Sequence, residues 1–342
     1  MSKIEIWIGG FPSFFGGADT ELDHNIDLWC SKGVEVHLVP LPSYDPLMLE
    51  HCEARGCIAH QYEPGIFRSK IVASFCNGEF LRMLPEIMNT GRPRAIAWFN
   101  CMTWTFQDEI TAHQNGWIDY FGFVSDYQQK MLQPQLEIHR PIKVLAGYRP
   151  YYSLTNPSQK LIFNYRVPKE HFAVGRISRD DAGKFSDDMW DIFHKVTAPI
   201  PKKVMILGFG SNAKSRCGVP PSKLDWQTWE PNAVPVGKLY NKLHAIIHKT
   251  GGSRESYCRI VPEAYASGVP LIVEKDFAFP ELIDDGVTGY LCQSSDEMSF
   301  RASELAFDET KRKNVIDAGY DYLRSKIASA DLCWKAWQDI LL

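Results

Sequence analysis

Short apolar runs alternate with segments of helical periodicity along the whole chain, which restricts the fold to layers of parallel strands covered by helices. Residues 3–8 read as a first strand. Residues 18–31 read as a helix, with Leu22, Ile26 and Trp29 at helical spacing and Gly33 just beyond its end, and residues 34–39 read as the second strand. Further strands are predicted at 71–75, 95–99, 120–124 and 142–145, with helices at 79–88 and 126–132 between them. The stretch 147–159 (GYRPYYSLTNPSQ) has two prolines, three tyrosines and no periodicity, so it reads as a connection. A second alternation follows, with strands at 171–177, 203–207, 243–247, 271–273 and 289–292 and helices at 186–196 and 260–267. Three helical runs from about Asp296 close the chain. The expected organisation is an α/β chain of two tandem, doubly wound, Rossmann-like domains, 1–150 and 151–325, facing a central cleft. Residues 326–342 form a C-terminal helix that can pack back on the first domain.

The 342 residues suffice for two such domains, and 45% hydrophobic content gives each a core. A net charge of −4 opposes nucleic acid as a partner, because phosphate backbones are held by a surplus of Lys and Arg. Nine cysteines, an odd number with no C-x-x-C pair, read as free thiols in a reducing compartment. The opening MSKIEIWIGG has no signal-peptide core, and no transmembrane run of 18 apolar residues occurs. A cytoplasmic protein is expected.

Ligands of doubly wound sheets sit off the carboxyl ends of the strands, so the loops that follow strands are the places to search. In the loop 8–19, Gly16 and Gly17 stand where strand gives way to helix, where a backbone free of Cβ and a helix start suit a phosphate. A tight turn without ligand would look the same. In 173–185, Arg176 and Lys184 lie between a strand end and a helix, where arginine can fork onto a diphosphate and lysine adds a point charge. Two solvated surface cations would give that pattern as well.

The stretch 253–273 (SRESYCRIVPEAYASGVPLIV) constrains most. Glu255 and Glu263 are separated by seven residues, Gly268 marks a helix C-terminus and Pro270 opens the next strand. Glu263 then lies on a short helix and Glu255 in the loop before it. A continuous helix would hold them roughly 12 Å apart. That separation suits two carboxylates accepting hydroxyl hydrogen bonds at the two ends of one extended donor.

These residues, Glu255, Glu263, Ala264, Gly268 and Pro270, resemble the E-x7-E signature of retaining glycosyltransferases of the family-4 type, which have the two-domain GT-B fold. Glu281, Gly286 and Gly289 continue the likeness, as do Gly175, Arg176 and Lys184 upstream and the Gly16–Gly17 loop. The resemblance implies a nucleotide-sugar donor, of UDP or GDP type, and transfer to a hydroxyl of a glycan, lipid-linked or small-molecule acceptor. It implies that Glu263 holds the ribose, Glu255 the transferred sugar, and Arg176 and Lys184 the departing diphosphate, with the Gly16–Gly17 loop closing on it. Cys258, Arg259, Ile260 and Gly208 would border the donor. No covalent nucleophile is needed, since the rate gain comes from electrostatics and orientation. No cofactor is implied, and no metal is expected, since D-x-D is absent.

This chain departs from the family in three places. Ser256, Tyr257 and Cys258 stand where glycine usually follows the first Glu, which alters a backbone contact to phosphate. KDFAFP (275–280) replaces a small-residue stretch. Where the family has an acceptor-side histidine, this chain has AWFNCMTW, making Asn100 the counterpart; His113, the nearest histidine, reads as lying on a polar helix face. Of the nearby Trp98, Trp104 and Trp117, core packing fits best, with Trp104 the candidate for stacking on a sugar. GFGSNA (208–213) fits the dinucleotide pattern G-x-G-x-x-A, but Gly218 and two prolines follow, so no long helix can open there. A dehydrogenase reading is therefore set aside, and a phosphorylase reading is disfavoured because no pyridoxal-binding lysine motif is evident. A catalytically silent sugar-nucleotide or glycan-binding protein and a nucleotide-sugar epimerase remain as alternatives.

Overall fold

A computed structural model describes residues 3–158 and 161–342; Gln159, at the end of the expected connection, lies outside them. The chain divides into two compact units, Met1–Ser158 with Lys326–Leu342, and Gln159–Ser325.

In the first unit the elements run β1 (Glu5–Gly9), α1 (Gly17–Ser31), β2 (Glu35–Val39), α2 (Pro46–Ala54), β3 (Ile58–Ala59), β4 (Ile71–Phe75), α3 (Gly78–Gly91), β5 (Ala95–Phe99), α4 (Gln107–Gln114), β6 (Tyr120–Gly122) and α5 (Asp126–Glu137). The sheet is parallel, in the order β3-β2-β1-β4-β5-β6. Its central strand β4, IVASF, is buried at every position, as a strand covered on both faces must be. Side chains of Asp45, Asn77 and Ser125 cap α2, α3 and α5. The strand expected at 142–145 is a single bridge between Val144 and Phe121, with the Phe121 amide donating to the Lys143 carbonyl and the Leu145 amide to the Phe121 carbonyl.

The second unit runs β7 (Phe172–Ile177), a 3-10 turn (Ala182–Lys184), α6 (Met189–Lys195), β8 (Lys202–Leu207), α7 (Ser211–Cys217), β9 (Trp226–Trp229), α8 (Val236–Tyr240), β10 (Ala245–His248), α9 (Ile260–Ser267), β11 (Leu271–Glu274), α10 (Phe279–Leu282), β12 (Tyr290–Cys292), α11 (Ser295–Phe307) and α12 (Glu309–Tyr322). Its parallel sheet has the order β12-β11-β10-β7-β8-β9. Counted from its own first strand, this is the same order as in the first unit. In both sheets the winding reverses between the first strand and the fourth, β1/β4 and β7/β10, which is where such sheets bind ligands.

A π-helical turn (Leu323–Ile327) leads to α13 (Ala330–Leu341), which belongs to the first unit. Its Trp337 is buried against Trp29 (ring centroids 4.8 Å, 85°) and Phe99 (5.3 Å), and its indole N–H donates to Asn25 Oδ1 at 3.2 Å. All nine cysteines are free, and among the described residues no helix is long and apolar enough to cross a membrane.

Candidate active site

The second unit collects four of its ionisable side chains at the β7/β10 reversal. Arg176 is the fifth residue of β7 and is 1% exposed. Its guanidinium lies 4.9 Å from the Phe185 ring centroid and donates through Nη2 to the Lys184 carbonyl, while Nε has no partner. An open-cleft Arg176 was expected, with a solvated surface cation as the alternative; the side chain is buried instead. The 3-10 turn folds the chain back over it, so Arg176 holds the loop that carries Lys184. The turn is fixed by Asp181, whose carboxylate accepts from the Gly183 amide at 2.9 Å, and by the Gly183 carbonyl, which accepts from the Gly251 and Ser253 amides at 2.9 Å each.

From this turn Lys184 Nζ donates to Glu255 Oε1 at 2.8 Å, and His248, the last residue of β10, approaches the same oxygen at 3.3 Å. A carboxylate only accepts, so Nε2 of His248 carries the proton and the partnerless Nδ1 is the lone pair. Burial, reinforced by Arg176, pushes His248 down to about 4, so it is a neutral imidazole at pH 7. Burial pushes the Glu255 carboxyl up, but contact with His248 and Lys184 outweighs this and holds it well below the usual carboxylate range. With His248 neutral, Lys184 is the charge that keeps Glu255 ionised. Burial also pulls Arg176 down, to about 10, which leaves it protonated.

Glu255, His248 and Cys258 offer ligand atoms within 4.8 Å of one another. Two fixed cations, Arg176 and Lys184, stand beside them, and the Cys258 thiol is pushed far up by burial and by the Glu255 charge. Positive charge collected at this spot suits an anion. Cys258 has φ 63°, the left-handed backbone a glycine takes, so the chain keeps the glycine geometry with a cysteine in place.

Glu263 lies in the first turn of α9 and accepts from Tyr240 Oη at 3.1 Å. The helix ends at Gly268, φ 68°, where Arg166 donates to the Ser267 carbonyl at 2.9 Å. Arg259 occupies the residue before α9 without a side-chain capping hydrogen bond, and the buried Ile260 is the first residue of the helix.

Residues 228–322 match the model of the family described as Glycosyl transferases group 1. The fold is GT-B. The chain superposes on HepE of Anabaena in complex with UDP and glucose with TM-score 0.67 at 14% identity, over 98% of this chain and 99% of that one. For a glycosyltransferase from Rickettsia africae the values are 0.70 and 11%, over 100% and 98%. In sequence it is 30% identical over 122 residues to a GDP-mannose-dependent alpha-mannosyltransferase of Corynebacterium glutamicum, a stretch that takes in 33% of this chain and 29% of the relative's length.

Within this GT-B chain the other expected site residues are placed as follows. Gly16, φ 91°, precedes α1, which has no side-chain cap; Gly17 begins the helix with open space around its Cα. Asp19 sits in the same first turn, accepting from Ser13 Oγ at 2.6 Å. Asn100 is buried and fully engaged. Its amide donates to Glu109 (2.7 Å) and the Trp104 carbonyl (3.0 Å), and its oxygen accepts from the Met102 amide (2.8 Å). Trp98 is buried and Trp104 is half exposed. His113, expected on a polar face, is buried instead, with Nε2 at 2.8 Å from the Arg140 carbonyl.

After β8 a helix does form, α7, but it spans seven residues and ends at Gly218. The Asp180 carboxylate accepts from the amides of Ala213 (2.8 Å) and Asn212 (3.2 Å) at its start, the place a pyrophosphate would need. Gly208 donates to the Trp229 carbonyl, and a Cβ there would overlap the Ser178 carbonyl oxygen. Gly208 serves close backbone packing. His248 and Tyr240 escaped the sequence reading; a histidine closing the apolar strand AIIH at the carboxyl edge was the available signal for the first.

Proposed function

We propose that the protein is a retaining, metal-independent glycosyltransferase of the family-4 type, moving a sugar from a UDP- or GDP-linked donor to an acceptor hydroxyl in the cytoplasm. The observation that carries this reading is the Lys184–Glu255 pair beside Arg176, set at the sheet reversal of a unit whose residues 228–322 match glycosyltransferases. Two cations against one carboxylate at that spot favour a diphosphate. Glu263, on α9, receives the ribose hydroxyls, and Glu255 receives hydroxyls of the transferred sugar. Lys184 is drawn from Glu255 toward the diphosphate as negative charge grows on the leaving oxygens. Arg176 acts from beneath, holding the Lys184 backbone and adding its field. Fixed charges of this kind stabilise the transition state more than the ground state. In the first unit, the uncapped start of α1 at Gly16 and Gly17 offers amides to a phosphate.

Thermal shift with UDP, GDP, ADP and their sugars tests the reading. A ligand at 100 times its Kd adds about 2.7 kcal/mol, and the stabilising nucleotide names the donor for a release assay. No stabilisation by any nucleoside diphosphate, with no sugar released from any donor, overturns it. Stabilisation without release would identify a catalytically silent binding protein instead.

A further inference from the structure

In the amino halves of β1 and β2, neighbouring strands place polar side chains on one face of the first unit's sheet, and His60, just past β3, joins them. The sheet pairs Glu5 with Glu35 and Trp7 with His37, and His60 follows β3 in the next row. His37 is 7% exposed, lies flat on Trp7 (centroids 4.3 Å, 4°) and has Nδ1 at 2.9 Å from His60 Nε2. Its other nitrogen, Nε2, points at two carboxylates, 3.2 Å from Glu35 Oε1 and 3.6 Å from Glu5 Oε2. The remaining oxygens of those carboxylates are held by lysines, Glu35 Oε2 by Lys3 and Glu5 Oε1 by Lys70, at 2.8 Å each. Each carboxylate is thus oriented from behind and presents one oxygen to the imidazole.

We propose that Glu5, Glu35 and His37 bind a divalent transition-metal ion of the zinc class, with water completing the coordination. Tetrahedral ligands at about 2.0–2.1 Å from Zn²⁺ stand about 3.3–3.4 Å apart; the imidazole lies 3.2 and 3.6 Å from the two carboxylates, and all three ligand atoms are within 4.8 Å of one another. One imidazole with carboxylates selects Zn²⁺ over Mg²⁺. Without metal, Nε2 of His37 carries the proton toward Glu35 and Nδ1 accepts from His60 Nε2; binding an ion would shift the proton to Nδ1, and His60, in its other tautomer, would accept it as the outer partner that ligating histidines use. The ion would clip β1 to β2 near their amino ends, away from the Gly16–Gly17 loop that follows β1, a structural role independent of transfer.

The test is titration of the chelator-treated full-length protein with Zn²⁺ followed by calorimetry, together with the absorption spectrum of the Co²⁺ form. Expected are one equivalent of tightly held metal, a rise in melting temperature with Zn²⁺ but not Mg²⁺, and binding weakened about tenfold or more in both Glu5→Gln and Glu35→Gln, and about tenfold in His60→Ala. The Co²⁺ spectrum should lack thiolate-to-metal charge transfer, which separates this site from the nine cysteines. Absence of saturable binding, binding unchanged in both Gln variants, or a thiolate band on the parent protein would each overturn the proposal. The last reading needs no variant to fold.

Discussion

Lys184 Nζ and Glu255 Oε1 lie 2.8 Å apart, with 13% and 10% of the two side chains exposed. Removing one partner of a pair this deep strands the other charge, which costs about 3–5 kcal/mol. Lys184→Ala should therefore lower stability by that order, not leave the fold untouched as an open-surface lysine would. Urea unfolding of Lys184→Ala, Glu255→Gln and the double variant measures it. A double variant more stable than Lys184→Ala alone is expected; additive losses would show that the pair is not coupled.

Turnover should fall about 100- to 1000-fold in Lys184→Ala and in Arg176→Lys, the loss seen when one oxyanion donor is removed. Arginine-to-lysine exchange at 176 is not conservative, because only the guanidinium can reach the Lys184 carbonyl while lying against Phe185. Release rates within a few-fold of the parent, measured on variants that remain folded by circular dichroism, would remove both from the chemistry.

The two glutamates should separate by readout. Glu263→Ala is expected to weaken free nucleotide binding, since the ribose contact goes. Glu255→Gln should leave nucleotide affinity nearly intact and lower turnover. Calorimetry with the nucleotide identified by thermal shift checks this, and equal losses of affinity in both variants would defeat the assignment.

His248 makes stability depend on pH. Its folded value, about 4, lies below the unfolded value of 6.5. As pH falls the unfolded chain takes up the proton first, so stability is full above 6.5 and declines between 6.5 and about 4. The loss is of order 3 kcal/mol at most. His248→Gln, which keeps a donor toward Glu255, should flatten the melting-temperature profile in that window. An unchanged slope would mean that other groups set it.

Glycines of the two nucleotide-type loops should respond in opposite senses. Gly208 has φ 87°, and a Cβ there would overlap the Ser178 carbonyl oxygen, so Gly208→Ala should cost at least about 1–3 kcal/mol. Gly17 begins α1 with nothing within 4 Å, so Gly17→Ala should stabilise by about 0.4–1 kcal/mol. A lower donor affinity in this more stable Gly17→Ala protein would mark the loop as a phosphate contact; unchanged affinity would mark it as a plain turn.

The strands β4 and β5 were legible to the residue because they are apolar runs flanked by helix-periodic sequence. The edge strand β9, WQTW, was not, since its side chains are exposed or half-buried and form no apolar run. Helix α4, QDEITAHQ, was read only through His113, placed on a polar helix face; it turns Glu109 and His113 inward, reversing the polarity that periodicity relies on. At the site, the chain order of Arg176, Lys184, Glu255 and Glu263 was readable from motif spacing. Whether a charge is buried was not, because burial of Arg176 depends on a loop folding over it. The Lys184–Glu255 contact spans 71 residues and no local pattern encodes it.

Because α13 completes the core that α1 and β4 begin, the first unit is discontinuous in sequence, with the second inserted between its parts. A ribosome delivers all six strands of the first sheet early, yet the Trp337 that packs beside Trp29 and Phe99 comes only after the whole second unit has been made. The unit synthesised second can therefore mature first. The first must wait with an unfilled aromatic pocket until α13 has been made, so its last packing step follows synthesis of the second unit.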